Sequence, residues 1–283
     1  MIPSPVVTVG SFDGVHKGHR TIIQRLNTLA EGVGGASVLI TFSPHPRKVL
    51  YPNTLGKDLK MINSLPEKCL LLEEAGLDHL VILEFTLEFA RTTSEEFVRC
   101  YLLGKLHAHT IVVGFNHFFG HNKEGSYASL YHSREKYGYK VEEIPEQEIQ
   151  NETVSSTKIR KALCEGNIQR ANAYLEHIFM VHTPWLKKTV SLSRNVPDCF
   201  KFRPQDHLKL LPPKGAYAGS ILREDSSIKG LVQISGSGNF IFPLSSNISM
   251  DEGEITIRFH KQIESGKQSK LEDLLNTVQE LIY

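Results

Sequence analysis

The sequence predicts an α/β protein of two domains, in which a five-stranded parallel sheet is followed by a small antiparallel β-barrel with a C-terminal helix. The chain has 283 residues, about twice the length of a typical domain. Up to about residue 175, short apolar runs alternate with longer amphipathic stretches, which is typical of repeated βα units around a parallel sheet. After residue 177, short strand-like runs are separated by turn-forming residues. We therefore expect domains at residues 1–180 and 181–283.

The strands of the first domain are apolar runs rich in valine, isoleucine and leucine, as expected when helices cover both faces of a sheet. They are predicted at residues 6–10, 37–42, 79–83, 110–114 and 140–144. Helices are predicted between and after the strands, at residues 18–30, 66–75, 94–103, 126–137, 155–164 and 168–175. Because helices separate consecutive strands, all five strands are expected to run parallel.

The second domain is predicted to be mainly antiparallel strand, because its apolar runs are short and closely spaced by turn signals. These runs lie at residues 187–193, 215–222, 229–234, 238–242 and 254–260. The last segment, residues 269–283, begins with Ser269 as a plausible N-cap and predicts a closing helix. Its apolar face consists of Leu271, Leu274, Leu275, Val278 and Ile282.

Composition excludes several classes of protein. Hydrophobic residues make up 40% and charged residues 22%, which is incompatible with a disordered chain. The 32 basic and 31 acidic residues leave a net charge of +1, so we expect no nucleic-acid partner. The sequence contains no apolar run long enough for a membrane span and starts without a signal peptide, so we expect a cytoplasmic protein.

The four cysteines are far apart and form no Cys-x-x-Cys pair, which argues against a zinc ribbon, a redox motif or a disulfide scaffold. We expect them to be buried, reduced thiols. They are Cys69, Cys100, Cys164 and Cys199.

The first strand leads directly into a loop and a helix, with the sequence GSFDGVHKGHR at residues 10–20. Ligands bind at such junctions because strand ends and helix N-termini converge there, and the free N–H groups of the helix favour anions. His16 and His19 stand three residues apart at the helix start, so both rings can reach phosphate oxygens on the same side. Two such rings suit a nucleotide triphosphate as the ligand. The other residues expected to bind it are Ser11, Phe12, Asp13, Gly14 and Gly18.

This junction has two other interpretations. The histidines could merely cap the helix while Gly14 and Gly18 turn the chain, although the complete strand–loop–helix pattern favours a functional site. A Walker loop is excluded, because no Gly-Lys-Ser/Thr follows.

A second candidate anion site is the sequence VSSTKIR at residues 154–160, where hydroxyl residues begin a helix after the fifth strand. Hydroxyl side chains at the N-cap, exposed N–H groups and Arg160 one turn later would together bind phosphate. The alternative is an ordinary serine cap with a solvated arginine. The residues concerned are Ser155, Ser156, Thr157 and Arg160.

Two further strands end in loops suited to a planar ligand, and both loops are expected at the same edge of the sheet as the first junction. The sequence TFSPHP at residues 41–46 is stiffened by proline, and GFNHFFG at residues 114–120 is rich in aromatic residues. Alternatively, the prolines only stiffen a turn and the phenylalanines only fill the core. The candidate binding residues are Pro44, His45, Pro46 and Asn116.

The sequence gives little support for a metal site or for a Ser-His-Asp catalytic triad. Four histidines near the fourth strand are not expected to share a focus, because two precede that strand and two follow it: His107, His109, His117 and His121. No Gly-x-Ser-x-Gly nucleophile elbow occurs. No protein side chain is therefore assigned to a metal.

Residues 6–176 resemble the FAD synthetase (FMN adenylyltransferase) module of the bacterial bifunctional riboflavin kinase/FAD synthetases, a Rossmann-like nucleotidyltransferase of the HxGH superfamily. The resemblance rests on GSFDGVHKGHR, TFSPHP, EEFVR at residues 95–99, VVGFNHFFG and VSSTKIR, in family order and spacing. It implies transfer of AMP from ATP to FMN, with Mg²⁺ bound alongside ATP, giving FAD and pyrophosphate. The substrates would be its small-molecule partners. The composition already predicts no nucleic-acid or membrane partner, and a homo-oligomer is left open.

The resemblance also assigns roles to residues. His16 and His19 match the HxGH histidines and would hold the triphosphate, while Ser155, Ser156, Thr157 and Arg160 would hold its distal end. The loop of Pro44, His45 and Pro46, together with Asn116, matches segments that line the flavin and nucleotide pockets. One departure is Phe118, which stands where the family commonly has a basic residue.

In the second domain the resemblance is carried mainly by LPPKGAYA at residues 211–218, which is similar to a strand of the riboflavin kinase barrel. The kinase's glycine-rich ATP loop has no counterpart, since residues 186–206 contain no glycine, and its catalytic glutamate strand is also missing. We therefore expect that riboflavin kinase activity is lost. The alternatives are a fully bifunctional enzyme, a nucleotidyltransferase with another acceptor, and a non-catalytic flavin- or nucleotide-binding paralogue.

Overall fold

The computed structural model describes residues 2–115, 117–145, 148–149, 152–184, 199–223, 226–236, 238–244, 254–263 and 271–281. By packing, the chain divides into two units. The first unit comprises Met1–Leu59 and Lys68–Val154, and the second comprises Lys60–Glu67 and Ser155–Tyr283.

The first unit contains the predicted five-stranded parallel sheet, in the order β3-β2-β1-β4-β5. The strands are β1 (Val6–Val9), β2 (Ser37–Ser43), β3 (His79–Glu84), β4 (Thr110–Gly114) and β5 (Lys140–Ile144). Among the described residues, four α-helices lie wholly in this unit: α1 (Lys17–Gly32), α2 (Pro46–Leu50), α4 (Ser94–Glu96) and α5 (Tyr127–Tyr137). A further helix, α3 (Leu65–Glu74), is divided between the two units and is described below. A two-stranded antiparallel pair, β6 (Glu148–Ile149) and β7 (Glu152–Thr153), follows the sheet.

Alternate residues of β1 enter different cores, as period-two strand geometry requires. Val7 packs in a cluster with Phe97 and Leu102, whereas Val6 packs in a second cluster with Leu26 of α1. All four residues of β1 are buried. The central strand is therefore covered on both faces, as its continuous apolar sequence predicted.

The strand order reverses direction between β1 and β4, since the chain proceeds outward to β3 on one side and to β5 on the other. In open α/β sheets ligands bind beyond the carboxyl ends of the strands at such a reversal. The loops at residues 10–16 and 115–120 follow β1 and β4 directly, so both begin at this edge.

The helix predicted at residues 94–103 is only partly α-helical. It begins as α4, with a capping box between Thr93 and Glu96, and continues from Phe97 to Leu103 as a π-helix. The N–H of Gly104 donates to the carbonyl of Arg99, five residues earlier. The wider turn occurs where Phe97, Val98 and Leu102 are all buried.

The second unit contains the predicted antiparallel domain as a curled half-barrel sheet of six strands, in the order β8-β13-β10-β11-β12-β9. Its strands are β8 (Phe179–Pro184), β9 (Phe200–Phe202), β10 (Gly215–Arg223), β11 (Ser226–Ser235), β12 (Gly238–Pro243) and β13 (Glu254–Ile263). The closing helix is α8 (Leu271–Leu281), and Val278, Leu274 and Leu275 pack it onto the core of this sheet. The strand predicted at residues 187–193 lies outside the described residues.

Two helices that precede the half-barrel in sequence also belong to the second unit by packing. They are α6 (Ser156–Cys164) and α7 (Ile168–Leu175), and α7 packs on β8 and β13. The Asn172 side chain accepts from the Phe179 N–H at 2.8 Å and donates to the Phe259 carbonyl at 2.9 Å. The predicted domains at residues 1–180 and 181–283 are functional modules, and their boundary stays a prediction.

Residues 60–67 belong to the second unit through a buried ionic cluster. Lys209 Nζ donates to Glu67 Oε2 at 2.6 Å and to the carbonyls of Ile62 and Met180 at 2.5 and 2.7 Å. Glu67 in turn accepts from the N–H groups of Ser64 and His182, each at 2.9 Å. Both charged side chains are almost fully buried, so their charges are balanced by each other and by backbone groups.

Glu67 lies near the start of α3 (Leu65–Glu74), a helix whose first three residues are in the second unit and whose remainder is in the first.

The expectation of four buried cysteines is wrong for three of them. Cys69, Cys100 and Cys164 are exposed, because each lies on the outer side of a helix, and Cys199 is buried. All four are free thiols. No helix within the described ranges is long and apolar enough to span a bilayer.

Candidate nucleotide site

The loop between β1 and α1 has an unusual backbone. Phe12, Gly14 and Val15 all have positive φ, at 45°, 96° and 40°. Left-handed backbone is unfavourable for phenylalanine and for β-branched valine, and it persists only where the surroundings hold it. The loop is indeed enclosed, since all residues from Phe12 to His16 are buried.

His16 and His19 come together as expected. Their rings stack with centroids 3.7 Å apart and an angle of 16° between the ring planes. The ring of Phe12 stacks with His19 at 4.5 Å. His16 occupies the N-cap position of α1, but its side chain makes no capping hydrogen bond. Simple helix capping therefore does not explain this histidine.

Burial, followed by the nearby His16 and Lys68, holds the pKa of His19 well below its usual range. The imidazole is therefore neutral at pH 7, with one ring nitrogen as donor and the other as acceptor. Its Nδ1 is buried and has no hydrogen-bond partner among the described residues. A neutral imidazole keeps one N–H group, and this group can donate a hydrogen bond to a phosphate oxygen.

Sequence analysis missed one charged group of this site, Lys68. It lies on α3, and its Nζ donates to the carbonyl of Ser11 at 2.6 Å and lies 3.5 Å from Thr41 Oγ1. The signal was available, because Lys68 shares a helix face with the buried Leu71 and Leu72, at i+3 and i+4. A charged residue on an apolar helix face indicates a specific partner inside.

The TFSPHP loop adopts a compact turn. The Ser43–Pro44 peptide is cis, and Pro46 is at the start of α2. The His45 side chain accepts from the N–H of Arg47 at 3.1 Å, so this imidazole caps α2. Capping accounts for His45 structurally, and a role of Pro44, His45 and Pro46 in substrate binding stays a prediction.

The GFNHFFG loop divides its aromatic residues between core and surface. Phe119 packs near Phe97, whereas Phe115 and Phe118 are 49% and 53% exposed. The interpretation that these phenylalanines only fill the core therefore holds for one of the three. Asn116 lies outside the described residues.

His117 in the same loop is buried at Nε2, which has no hydrogen-bond partner among the described residues. Burial lowers the pKa of His117 to about 4. Its backbone N–H donates to Gly114 at 3.1 Å, which ties the loop to the end of β4.

We expect the stability of the first unit to decrease in acid because of this histidine. An unfolded histidine binds a proton near pH 6.5, whereas folded His117 does so near pH 4. The contribution is therefore complete above pH 6.5, and about 3 kcal/mol is lost as the pH falls to 4. Urea unfolding of wild type and His117→Gln between pH 7.5 and 4.5 measures it. A variant with the same pH dependence as wild type would contradict the assignment.

Residues 155–160 of the VSSTKIR sequence lie together at the start of α6, in the second unit. The Ser155 side chain accepts from the N–H of Lys158 at 3.3 Å, so it caps the helix. Arg160 Nε donates to the carbonyl of Lys60 at 2.9 Å. Ser156 and Thr157 occupy the first turn of α6. The serine cap is thus present, and the arginine is held by a backbone carbonyl rather than simply solvated.

Metal ligands are not grouped in the described part of the chain, where no set of three or more histidine, cysteine, aspartate or glutamate side chains could hold an ion. The histidines around β4 have separate surroundings. His109 Nδ1 pairs with Thr110 Oγ1 at 2.9 Å, and His121 Nδ1 pairs with the Ala90 carbonyl at 3.0 Å.

Known proteins resemble this chain in sequence and in fold. The family model described as FAD synthetase matches residues 3–158. The bifunctional riboflavin kinase/FMN adenylyltransferase of Listeria monocytogenes is 32% identical over 173 residues, which are 60% of this chain and 53% of that protein. The Escherichia coli K12 protein of the same name is 30% identical over 223 residues, or 77% of this chain and 68% of that protein.

The match thus spans about half the length of the Listeria protein and about two thirds of the E. coli protein. Among solved structures, a Streptococcus pneumoniae protein titled macrolide-efflux protein has a TM-score of 0.81 at 21% identity, over 99% of this chain and 92% of that one. At this identity the likeness shows a shared fold.

Proposed function

Because the chain belongs to the FAD synthetase family, we propose that it is an FMN adenylyltransferase, which transfers AMP from ATP to FMN and releases FAD and pyrophosphate. The observation that carries the proposal is the stacked pair of His16 and His19 at the switch point of the parallel sheet. The choice of ATP and FMN as substrates is supported by the names of the relatives, and the binding of phosphate is supported by the histidine pair.

The reaction needs no covalent intermediate. A phosphate oxygen of FMN attacks the α-phosphorus of ATP, the bond from that phosphorus to the bridging oxygen breaks, and pyrophosphate leaves with that electron pair. The protein therefore contributes positioning and stabilisation of the charge that develops on phosphate oxygens. At the junction of β1 and α1, His16 and His19 supply this stabilisation. The backbone around them is formed by Ser11, Phe12, Asp13, Gly14 and Gly18.

The remaining predicted residues are assigned by role. Ser155, Ser156, Thr157 and Arg160 bind the distal phosphates through hydroxyls, helix N–H groups and a guanidinium. Pro44, His45, Pro46 and Asn116 line the flavin and adenine pockets. These roles follow from the motif positions, and each can be tested singly.

Mg²⁺ enters with ATP in this proposal. Mg²⁺ is commonly bound through one or two carboxylates together with substrate phosphates and water, so a cage of protein ligands is not required. When bound, it would neutralise charge on the phosphate oxygens. Asp13 is the carboxylate of the β1–α1 loop, and it is 1% exposed.

We further propose that the second unit has no riboflavin kinase activity. The support is the sequence of residues 186–206, which lacks every glycine of the kinase ATP loop, and the missing glutamate strand. FMN would then be supplied by a separate kinase reaction that phosphorylates riboflavin.

The test is to incubate the purified chain with ATP and Mg²⁺, separately with FMN and with riboflavin, and to separate the flavins by chromatography. We expect FAD and pyrophosphate in equal amounts from FMN, and unchanged riboflavin in the second reaction. Absence of FAD in the first reaction would overturn the adenylyltransferase proposal, and release of pyrophosphate with another phosphate monoester would then identify a different acceptor. FMN formed from riboflavin would overturn the loss of kinase activity.

A further inference from the structure

We propose that Lys68 is a positioning residue for adenylyl transfer, holding the β1–α1 loop and its two histidines in the geometry that the reaction needs. The inference rests on the proposed function of this site. No motif of the sequence includes Lys68, and it does not belong to either of the two phosphate-binding segments.

The contacts of Lys68 converge on one carbonyl group. Its Nζ donates to the carbonyl oxygen of Ser11 at 2.6 Å, and Thr41 Oγ1 donates to the same oxygen at 3.2 Å. Lys68 is 9% exposed and Thr41 is fully buried. The first residue of the loop after β1 is therefore fixed from within the unit by a charge-assisted hydrogen bond and a neutral one.

The loop needs such an anchor because of its backbone. Phe12, Gly14 and Val15 follow Ser11 in left-handed conformations. Each non-glycine residue in this region costs of order 1 kcal/mol or more, so the loop would relax unless its surroundings held it. Without Lys68, the Ser11 carbonyl loses the hydrogen bond that fixes the backbone next to Phe12. The Phe12 ring stacks on the ring of His19, so a shift of this backbone would also move the histidine ring.

The charge of Lys68 also acts on His19. Burial lowers the pKa of Lys68, and the carboxylate of Asp13 opposes that effect by favouring the charged ammonium. The ammonium in turn disfavours a second positive charge on His19. The charged or titratable groups facing this pair are His16, Asp13 and Cys69. Without Lys68, the pKa of His19 should therefore rise.

Two variants separate the hydrogen bond from the charge. Lys68→Met removes both, whereas Lys68→Gln removes the charge and keeps a donor for the Ser11 carbonyl. We expect Lys68→Met to lower kcat about 10- to 100-fold, with the KM for FMN within about threefold, as for a small displacement of reacting groups. Lys68→Gln should retain more of kcat. In both variants the acidic limb of the rate–pH profile should move to higher pH.

The matched control is Lys140→Met, which removes an exposed lysine of β5 in the same unit and should leave rate and pH profile unchanged. Unchanged kcat and an unchanged acidic limb in folded Lys68→Met would overturn the proposal. If Lys68→Met does not fold, Lys68→Gln decides, because its acidic limb must still move.

An NMR titration of the His19 ring separates this inference from the proposed function. The midpoint of His19 should be higher in Lys68→Gln than in wild type, whether or not FAD is formed. A chain that forms no FAD but shows this displacement would refute the adenylyltransferase proposal alone. A chain that forms FAD with an unmoved His19 midpoint and full kcat in both variants would refute the role of Lys68 alone.

Discussion

Replacement of His19 by alanine should lower kcat for FAD formation about 100- to 1000-fold, the loss typical when one preorganised donor to a developing negative charge is removed. His19 is neutral at pH 7, so its contribution is a directed hydrogen bond rather than a full positive charge. The ring also stacks between His16 and Phe12, and alanine forfeits this packing. We therefore expect a folded protein that has lost about 1 kcal/mol of stability. Steady-state kinetics with FMN and ATP, and urea unfolding, measure the two effects.

The control for this variant is His132→Ala, which removes an exposed histidine from α5 in the same unit and should change neither quantity. His19→Gln keeps an amide donor and should recover part of the lost rate. A folded His19→Ala protein with the wild-type kcat would show that the histidine is structural, and the catalytic role assigned to it would be wrong.

Replacement of Lys209 by methionine should destabilise the second unit by about 3–5 kcal/mol, the loss typical when one partner of a buried ion pair is removed. Glu67 would lose its cationic partner at 1% side-chain exposure, and the carbonyls of Ile62 and Met180 would lose their donor. Burying an unpaired carboxylate is far more costly than the loss of packing alone. Chemical denaturation followed by circular dichroism measures the change.

A surface pair of the same unit provides the contrast. Lys161 Nζ on α6 and Glu165 Oε1 on the residue after that helix lie 4.0 Å apart, and the two side chains are 77% and 48% exposed. Lys161→Met should therefore change stability by no more than about 0.5 kcal/mol. The double variant Lys209→Met/Glu67→Gln should be more stable than Lys209→Met, because it no longer buries a lone charge. If both single variants had the same small effect, the buried cluster would not be the anchor that we describe.

The sequence predicted the parallel sheet well, because buried central strands are continuous runs of valine, isoleucine and leucine. All five strands are confirmed within one residue. The half-barrel was harder. In β8 the residues His182 and Thr183 interrupt the apolar run, and β9 is only three residues long, so neither was predicted. The π-helix from Phe97 to Leu103 could not be told from an α-helix, since seven residues are too few to resolve the two periods.

The site shows the same division between local and distant signals. His16 and His19 could be paired from sequence because their spacing on one helix places them on one side. Lys68 could not be connected to Ser11, 57 residues away, because only the folded chain brings α3 to the loop after β1. The same limit applies to Arg160 and the Lys60 carbonyl, which are 100 residues apart.

The separation between Glu67 and Lys209 also has a consequence for synthesis on the ribosome. These residues are 142 positions apart, so at roughly 5–20 residues per second Glu67 leaves the peptidyl-transferase centre about 7–30 s before Lys209 is added. During that interval Lys209, the buried partner of Glu67, has not been made. The buried ionic cluster therefore cannot form until synthesis has passed residue 209. The half-barrel also needs β13 (Glu254–Ile263), so segment 60–67 takes its buried position only when most of the chain has been made.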